Sequence, residues 1–206
     1  MTALARRSVR SAYRKGIAWA AEHLDGEIAR RAPFRGNNGL LWFTSEEAVI
    51  AQALGCIIVP SDEETPGFDD IDVLGPPGVN VLDQIVVGDP AKQLLYARGL
   101  LSFDIWARRE YGCGFADMTK ADQITLFKVV QQVYEGWTAG SLLKRTVRRL
   151  RSILEIRRGR HFAAQLFPCI INDCFQVFYT SRVSWVWLEY DGPPMDEGYP
   201  LLAARR

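Results

Sequence analysis

The chain has 206 residues, and 48% of them are hydrophobic, which suits a single domain with an ample core. This composition excludes a chain that is disordered throughout. The 25 basic and 24 acidic residues nearly cancel, so a protein that binds polyanions through its overall charge is also excluded.

The N-terminal part predicts a helix followed by a linker. Residues 3–30 carry apolar residues at helical intervals with Arg and Lys between them, which indicates a basic helix. Such a helix can lie on the surface of the protein or act as a partner-binding arm. Pro, Gly and Asn in residues 31–41 then predict a linker.

Arg6 and Arg7 suggest a twin-arginine export leader, but the residues after them do not fit one. The apolar run at 17–21 is short of a signal-peptide core, which has about 7–15 residues. We therefore expect no signal peptide and no transmembrane segment, because no apolar run approaches about 20 residues. Two locations for the protein stay open: the cytoplasm, or a periplasm that it reaches by export together with a partner.

Two helices are predicted around a long irregular region. Ser45 is the expected cap of the first helix, with two glutamates in its first turn, and Pro60 ends it. The irregular region extends to about residue 79, and a loop of this length is usually functional or packed on a neighbour. Residues 80–88 then predict a short helix.

The second half of the chain predicts further helices. Asp89-Pro90 is a helix-start pair, Thr119 is the expected cap of the next helix, and residues 142–158 form an arginine-rich amphipathic pattern. A last helix covers residues 161–179 and contains a proline, which must kink it or open a second helix. No clear alternation of apolar and polar residues predicts a β-strand. The expected fold class is all-α or mostly α, with long loops and an extended C-terminal tail.

The divisions of the chain follow from these elements. We expect an N-terminal helix and linker at residues 1–40, a helical domain at 41–192 and a C-terminal tail at 193–206.

Nothing in the sequence forms a catalytic or cofactor-binding constellation. The spacings of the four cysteines match no zinc, iron–sulfur or haem pattern, and there are only two histidines. Gly112-Cys113-Gly114 lacks the third glycine and the preceding strand of a dinucleotide site. We therefore expect no catalytic residue, no cofactor and no metal in this chain. Buried, reduced thiols are the favoured interpretation of Cys56, Cys169 and Cys174.

An acidic loop contains Asp69, Asp70 and Asp72, which are hard oxygen donors. The loop lacks EF-hand spacing, so a solvated loop is favoured over a calcium site. Electrostatic docking to arginines is the third alternative.

Aromatic residues near the C-terminus give the clearest interaction signal. Trp185, Trp187 and Tyr190 lie in a region with many Gly and Pro residues, which predicts no regular structure. Their rings must pack on the domain's own core or on a partner, and we expect a partner interface.

The basic segment 142–158, which includes Arg148 and Arg149, supports a rival class of protein. Such a helix could bind nucleic acid or a membrane surface. No helix-turn-helix glycine, stacking pattern or heptad accompanies it, so we expect no nucleic-acid partner.

Three segments in order, 57–67, 111–123 and 178–192, together resemble the gluconate 2-dehydrogenase subunit 3 family over about residues 45–192. The resemblance implies a helix-end motif, a central loop with its cap and a closing motif, none of them catalytic. The residues that match are Ile58, Pro60 and Asp62 in the first, Phe115 and Thr119 in the second, and Tyr179, Trp185, Tyr190 and Gly192 in the third.

The resemblance also implies a role and partners. The small subunit of this family is non-catalytic and accompanies a large FAD-dependent dehydrogenase of the glucose–methanol–choline (GMC) class, which oxidises a sugar, sugar acid or glycoside. Electrons pass from that FAD to an iron–sulfur cluster or to haem c in a cytochrome c. The interface with the large subunit is expected at Trp185, Trp187, Tyr190, Arg148, Arg149 and Cys113. We expect Cys113 to be the most accessible of the four thiols, and in an oxidising compartment it is the candidate for a disulfide to the large subunit.

Overall fold

The computed structural model describes residues 3–138 and 160–190, with side chains described for residues 11–137 and 160–190. These residues contain no strand, so the prediction of an all-α fold is confirmed. The basic segment 142–158 and the tail 193–206 lie outside the described residues. The α-helices are α1 (Ala3–Arg31), α2 (Ser45–Ile58), α3 (Gly78–Val87), α4 (Pro90–Tyr111), α5 (Lys120–Thr138), α6 (His161–Tyr179) and α7 (Arg182–Trp187), and short 3-10 helices lie at Ala32–Phe34, Phe68–Val73 and Phe115–Asp117.

The start of α2 corrects one prediction, since its cap is Thr44 and Ser45 is the first helical residue. The Thr44 hydroxyl accepts the N–H of Glu47 at 3.1 Å, and the Glu47 carboxylate accepts the N–H of Thr44 at the same distance. This reciprocal pair is a capping box. The buried Glu47 also accepts two hydrogen bonds from Arg35, at 2.8 and 2.9 Å, and the Arg35 guanidinium lies 3.8 Å from the centre of the Trp42 ring. The linker is therefore fixed to α2.

A buried carboxylate on α3 fixes the chain that leads into α2. Asp83 is 1% exposed and accepts the backbone N–H groups of Leu41, Trp42 and Phe43, the last at 2.7 Å. A carboxylate that accepts several N–H groups satisfies donors that would otherwise be buried without partners. The helix begins two residues before the predicted start at residue 80.

Helices α4 and α6 form the centre of the main core. Asp89 caps α4 by accepting the N–H groups of Ala91 and Lys92, which confirms the Asp89-Pro90 helix start. A Cβ atom on Gly99 would lie 2.5 Å from Cβ of Leu166, so glycine permits the close approach of the two helices. Helix α6 continues through Pro168 as one element.

A buried polar network also joins these two helices. Asp173 on α6 is 1% exposed and accepts hydrogen bonds from Lys92 Nζ at 2.7 Å and from the Tyr96 hydroxyl at 2.9 Å, both on α4. Burial raises the pKa of Tyr96, and the charge of Asp173 adds to the shift. The phenol therefore stays protonated and keeps its role as a donor.

Helix α1 packs on its own chain. Ala20 and Leu24 form a second apolar cluster with Leu101 of α4 and Phe162 of α6. Arg98 donates two hydrogen bonds to Asp25, at 2.8 and 2.6 Å. Among the described helices, none combines the length and the apolar character that crossing a membrane requires.

Candidate partner interface

Six aromatic rings lie at the end of the described chain in two contacting groups, and we call them together the C-terminal aromatic cluster. Phe175 stacks with Tyr179 at a centroid distance of 6.2 Å, and both lie on the last turns of α6. Phe178 lies 5.3 Å from Tyr179 and 6.4 Å from Trp187 of α7. Trp185 meets Tyr190 edge to face at 6.2 Å. The members are Phe175, Phe178, Tyr179, Trp185, Trp187 and Tyr190.

The segment that carries Trp185 and Trp187 is helical, which corrects the prediction that it lacks regular structure. The Ser181 hydroxyl caps α7 by accepting the N–H of Ser184 at 3.3 Å. Val183 and Ser184 are buried, and the indole N–H of Trp185 donates to the carbonyl of Tyr179 at 2.9 Å. These contacts hold α7 against α6 without any partner.

The outer side of this region is apolar and exposed. Phe178 is 3% exposed and connects the cluster to the core, whereas its neighbours extend into solvent. Aromatic and aliphatic side chains that are exposed side by side mark interaction surfaces. The exposed fractions are 40% for Phe175, 52% for Tyr179, 69% for Val186, 41% for Trp187, 50% for Leu188 and 48% for Tyr190.

The sequence pattern predicted Trp185, Trp187 and Tyr190 as interface residues. Trp187 and Tyr190 are exposed, and Trp185 is half-buried and meets Tyr190 edge to face. Phe175 and Val186 were not predicted. The spacing of four between Phe175 and Tyr179 is a signal that could have revealed the first, because residues i and i+4 share one helix face.

The four thiols are all free, and Cys113 does not stand apart from the others by exposure. It is half-buried against the main core, as are Cys56 and Cys169, while Cys174 is fully buried. Burial raises the pKa of Cys56 and of Cys174, and burial together with the charge of Asp173 raises the pKa of Cys169 to about 11. These three thiols are therefore protonated and weakly nucleophilic at neutral pH.

Cys113 lies in the loop between α4 and Phe115–Asp117. That 3-10 helix packs on α2 and α4, whereas the aromatic cluster lies on α6 and α7. The arginines of the predicted interface, Arg148 and Arg149, lie outside the described residues.

The structure does not bring His161 and Cys169 together as a thiolate–imidazole pair. His161 and Cys169 lie on one continuous helix, about 12 Å apart along its axis. Cys169 instead donates to Asp173 at 3.4 Å. Within residues 3–138 and 160–190, no group of three or more His, Cys, Asp or Glu side chains is placed to hold a metal ion.

Two acidic side chains of the loop after α2 cap its turns. Asp62 accepts the N–H groups of Glu64 and Thr65 at 2.9 and 2.8 Å. Asp70 accepts the N–H of Gly67 at 2.6 Å.

The helices and this surface define a small all-α protein that displays aromatic side chains at α6 and α7. Residues 45–192, more than half of the chain, match the sequence model of the family described as gluconate 2-dehydrogenase subunit 3. The chain belongs to this family, whose name assigns it to a subunit of a dehydrogenase complex. No curated protein and no solved structure matches the chain. The match begins with α2, so α1 precedes the family unit, and it ends two residues after Tyr190.

Proposed function

We propose that this protein is a non-catalytic small subunit that binds and stabilises a large FAD-dependent dehydrogenase of the GMC class, which oxidises a sugar, sugar acid or glycoside. The FAD, and the iron–sulfur cluster or haem c that accepts its electrons, belong to the partner subunits in this proposal. The membership of the family supports the association with a dehydrogenase.

The exposed C-terminal aromatic cluster is the observation that carries the proposal. Val186 and Trp187 extend from a short helix that its own chain already fixes, and Tyr190 follows it closely, so little conformational entropy is lost when they bind. Aromatic side chains presented in this way are the usual anchors of protein interfaces. A subunit that covers this surface gains apolar burial, and both proteins are stabilised by mass action.

Co-expression tests the proposal. We expect the neighbouring gene to encode this flavoprotein. The chain is produced alone and together with that flavoprotein, and each sample is separated by gel filtration with detection of flavin absorbance. We expect a single complex that carries flavin when both are present, and no flavin absorbance in the fractions of the lone chain. We also expect one of the two proteins to be poorly soluble when it is produced without the other.

Two results would contradict the proposal. One is flavin that stays with the lone chain through gel filtration, which would make the chain a flavoprotein in its own right. The other is a flavoprotein that elutes separately from this chain while both are soluble and folded.

A further inference from the structure

The N-terminal segment separates positive charge from the rest of the chain. Residues 1–21 contain five basic residues and no acidic residue, and the basic ones are Arg6, Arg7, Arg10, Arg14 and Lys15. Because the whole chain has a net charge of +1, residues 22–206 together carry a net charge of −4. The near balance of charge over the whole chain therefore hides a positive segment joined to an acidic domain.

The outer face of α1 presents basic side chains beside an exposed aromatic ring. Trp19 is 60% exposed and stacks on His23, with 5.1 Å between the two ring centroids. Lys15 lies four residues before Trp19 and therefore on the same side of the helix, and Arg14 next to it is exposed as well. Tryptophan is enriched where a bilayer meets water, because its ring is apolar and its N–H is polar.

The opposite face of α1 is fixed to the domain. Ala20 and Leu24 lie in the second apolar cluster with Phe162, and Asp25 accepts two hydrogen bonds from Arg98. The face with Trp19 is thus held toward solvent, so little conformational entropy is lost when it binds a ligand.

This face is separate from the C-terminal aromatic cluster. Phe162 lies near the start of α6, whereas the cluster begins at Phe175, about 20 Å further along the helix axis. The family match begins only at residue 45, after α1 has ended. A ligand on α1 and a dehydrogenase on the aromatic cluster would therefore contact different parts of the protein.

Two kinds of polyanion carry charge that complements such a face, a membrane with anionic lipids and a nucleic acid. Residues 1–31 contain no Asn or Gln, which together with Arg are the usual readers of base edges. One exposed indole among basic side chains suits the layer of lipid head groups. These observations favour the membrane.

We propose that the outer face of α1 binds the surface of a membrane that contains anionic phospholipids. Arg14 and Lys15 lie near the lipid phosphates, and Trp19 enters the layer between the head groups and the acyl chains. The acidic remainder of the chain is repelled by the same surface, which orients the protein with α1 toward the lipid. This inference goes beyond the proposed function and does not depend on it.

Sedimentation of the full chain with vesicles tests the proposal. We expect the chain to bind vesicles of equal parts phosphatidylcholine and phosphatidylglycerol at low salt, and to bind weakly at high salt or to phosphatidylcholine alone. Arg14→Gln/Lys15→Gln should weaken binding about twentyfold, because each basic residue near an anionic surface contributes about fivefold. Trp19→Ala should weaken it about fivefold.

The matched control is Lys120→Gln/Lys128→Gln, which removes the same charge from exposed positions on α5. Its binding should stay within about twofold of the wild type. Circular dichroism of each variant should match the wild type, since all four substituted positions are exposed.

Three results would overturn the proposal. The first is a wild-type chain that does not sediment with the phosphatidylglycerol vesicles, and the second is an equal loss of binding in the two double variants. The third is an α1 double variant that loses binding to a DNA duplex but sediments with vesicles as the wild type does, which would identify nucleic acid as the ligand of α1. Because the test uses the chain without its partner, none of these results bears on the dehydrogenase complex.

Discussion

His161 makes the protein less stable in acid, and the size of this loss follows from the pKa of its buried ring. Its ring is 2% exposed and lies among Tyr13, Trp137 and Phe162, at centroid distances of 6.2, 5.0 and 5.2 Å. Nε2 lies 3.2 Å from the amide nitrogen of Gln165, and Nδ1 has no hydrogen-bond partner among the described residues. Burial alone lowers the pKa of His161 from 6.5 to about 4.

The direction of the effect follows from proton binding. The folded protein holds His161 neutral at pH values where the unfolded chain protonates it, so the stability that this residue contributes is present above pH 6.5 and is lost as the pH falls toward 4. The loss relative to neutral pH is about 2 kcal/mol at pH 5 and about 3 kcal/mol below pH 4. For a chain of this size, 2 kcal/mol corresponds to about 4–8 °C in the melting temperature.

Urea denaturation at pH 7.5 and pH 5.0 measures this effect in the wild type and in His161→Phe. Other groups titrate in both proteins, so we compare the change in the free energy of unfolding between the two pH values. This change should be about 2 kcal/mol larger in the wild type than in His161→Phe. His23→Gln is the control, because it retains His161 and should retain the acid-side loss. Equal pH dependence in wild type and His161→Phe would refute the assignment of a buried, neutral imidazole.

Two further predictions concern single residues. Asp83→Asn should lower the free energy of unfolding by about 2–4 kcal/mol in urea titrations, because the N–H groups of residues 41–43 lose a charged acceptor, and a change below about 0.5 kcal/mol would contradict this role. Maleimide labelling followed by peptide mass mapping should leave Cys174 unmodified while the chain is folded, since its side chain is fully buried and burial raises its pKa, and labelling of Cys174 as fast in the native chain as in the urea-unfolded chain would count against it.

Local chemistry explains the helix boundaries that the sequence predicted well. The Asp89-Pro90 pair and the Thr119 hydroxyl act within four residues of their own position, and helices begin at Pro90 and Lys120 as expected. Where the prediction chose Ser45 as a cap, it overlooked that Thr44 has a glutamate three residues later, which is the spacing of a capping box.

Contacts between distant residues explain what the sequence could not provide. Asp83 reaches backbone N–H groups about 40 positions earlier, and Arg98 pairs with Asp25 across 73 positions. Neither periodicity nor composition contains such pairings. The short helix α7 has a local cap at Ser181, but it also depends on packing of Val183 and on the bond from Trp185 to α6, which the sequence does not reveal.

The choice of a probe for the interface also depends on the structure. Trp187 is 41% exposed, so its own chain covers more than half of the residue, and an alanine in its place would weaken the lone subunit as well as the complex. Val186, at 69% exposure, faces solvent on the same helix and separates the two effects.

Val186→Lys therefore tests the central claim, that the C-terminal aromatic cluster is the dehydrogenase interface. The lysine lies near the C-terminal end of α7, where a positive charge suits the helix dipole, so the melting temperature of the lone chain should be unchanged. The matched control is Trp19→Lys, at a residue 60% exposed on α1, outside the family match. Titration calorimetry with the flavoprotein should show binding weakened about thirtyfold or more for Val186→Lys and unchanged for Trp19→Lys. Equal affinity of the two variants would contradict the assignment of this surface.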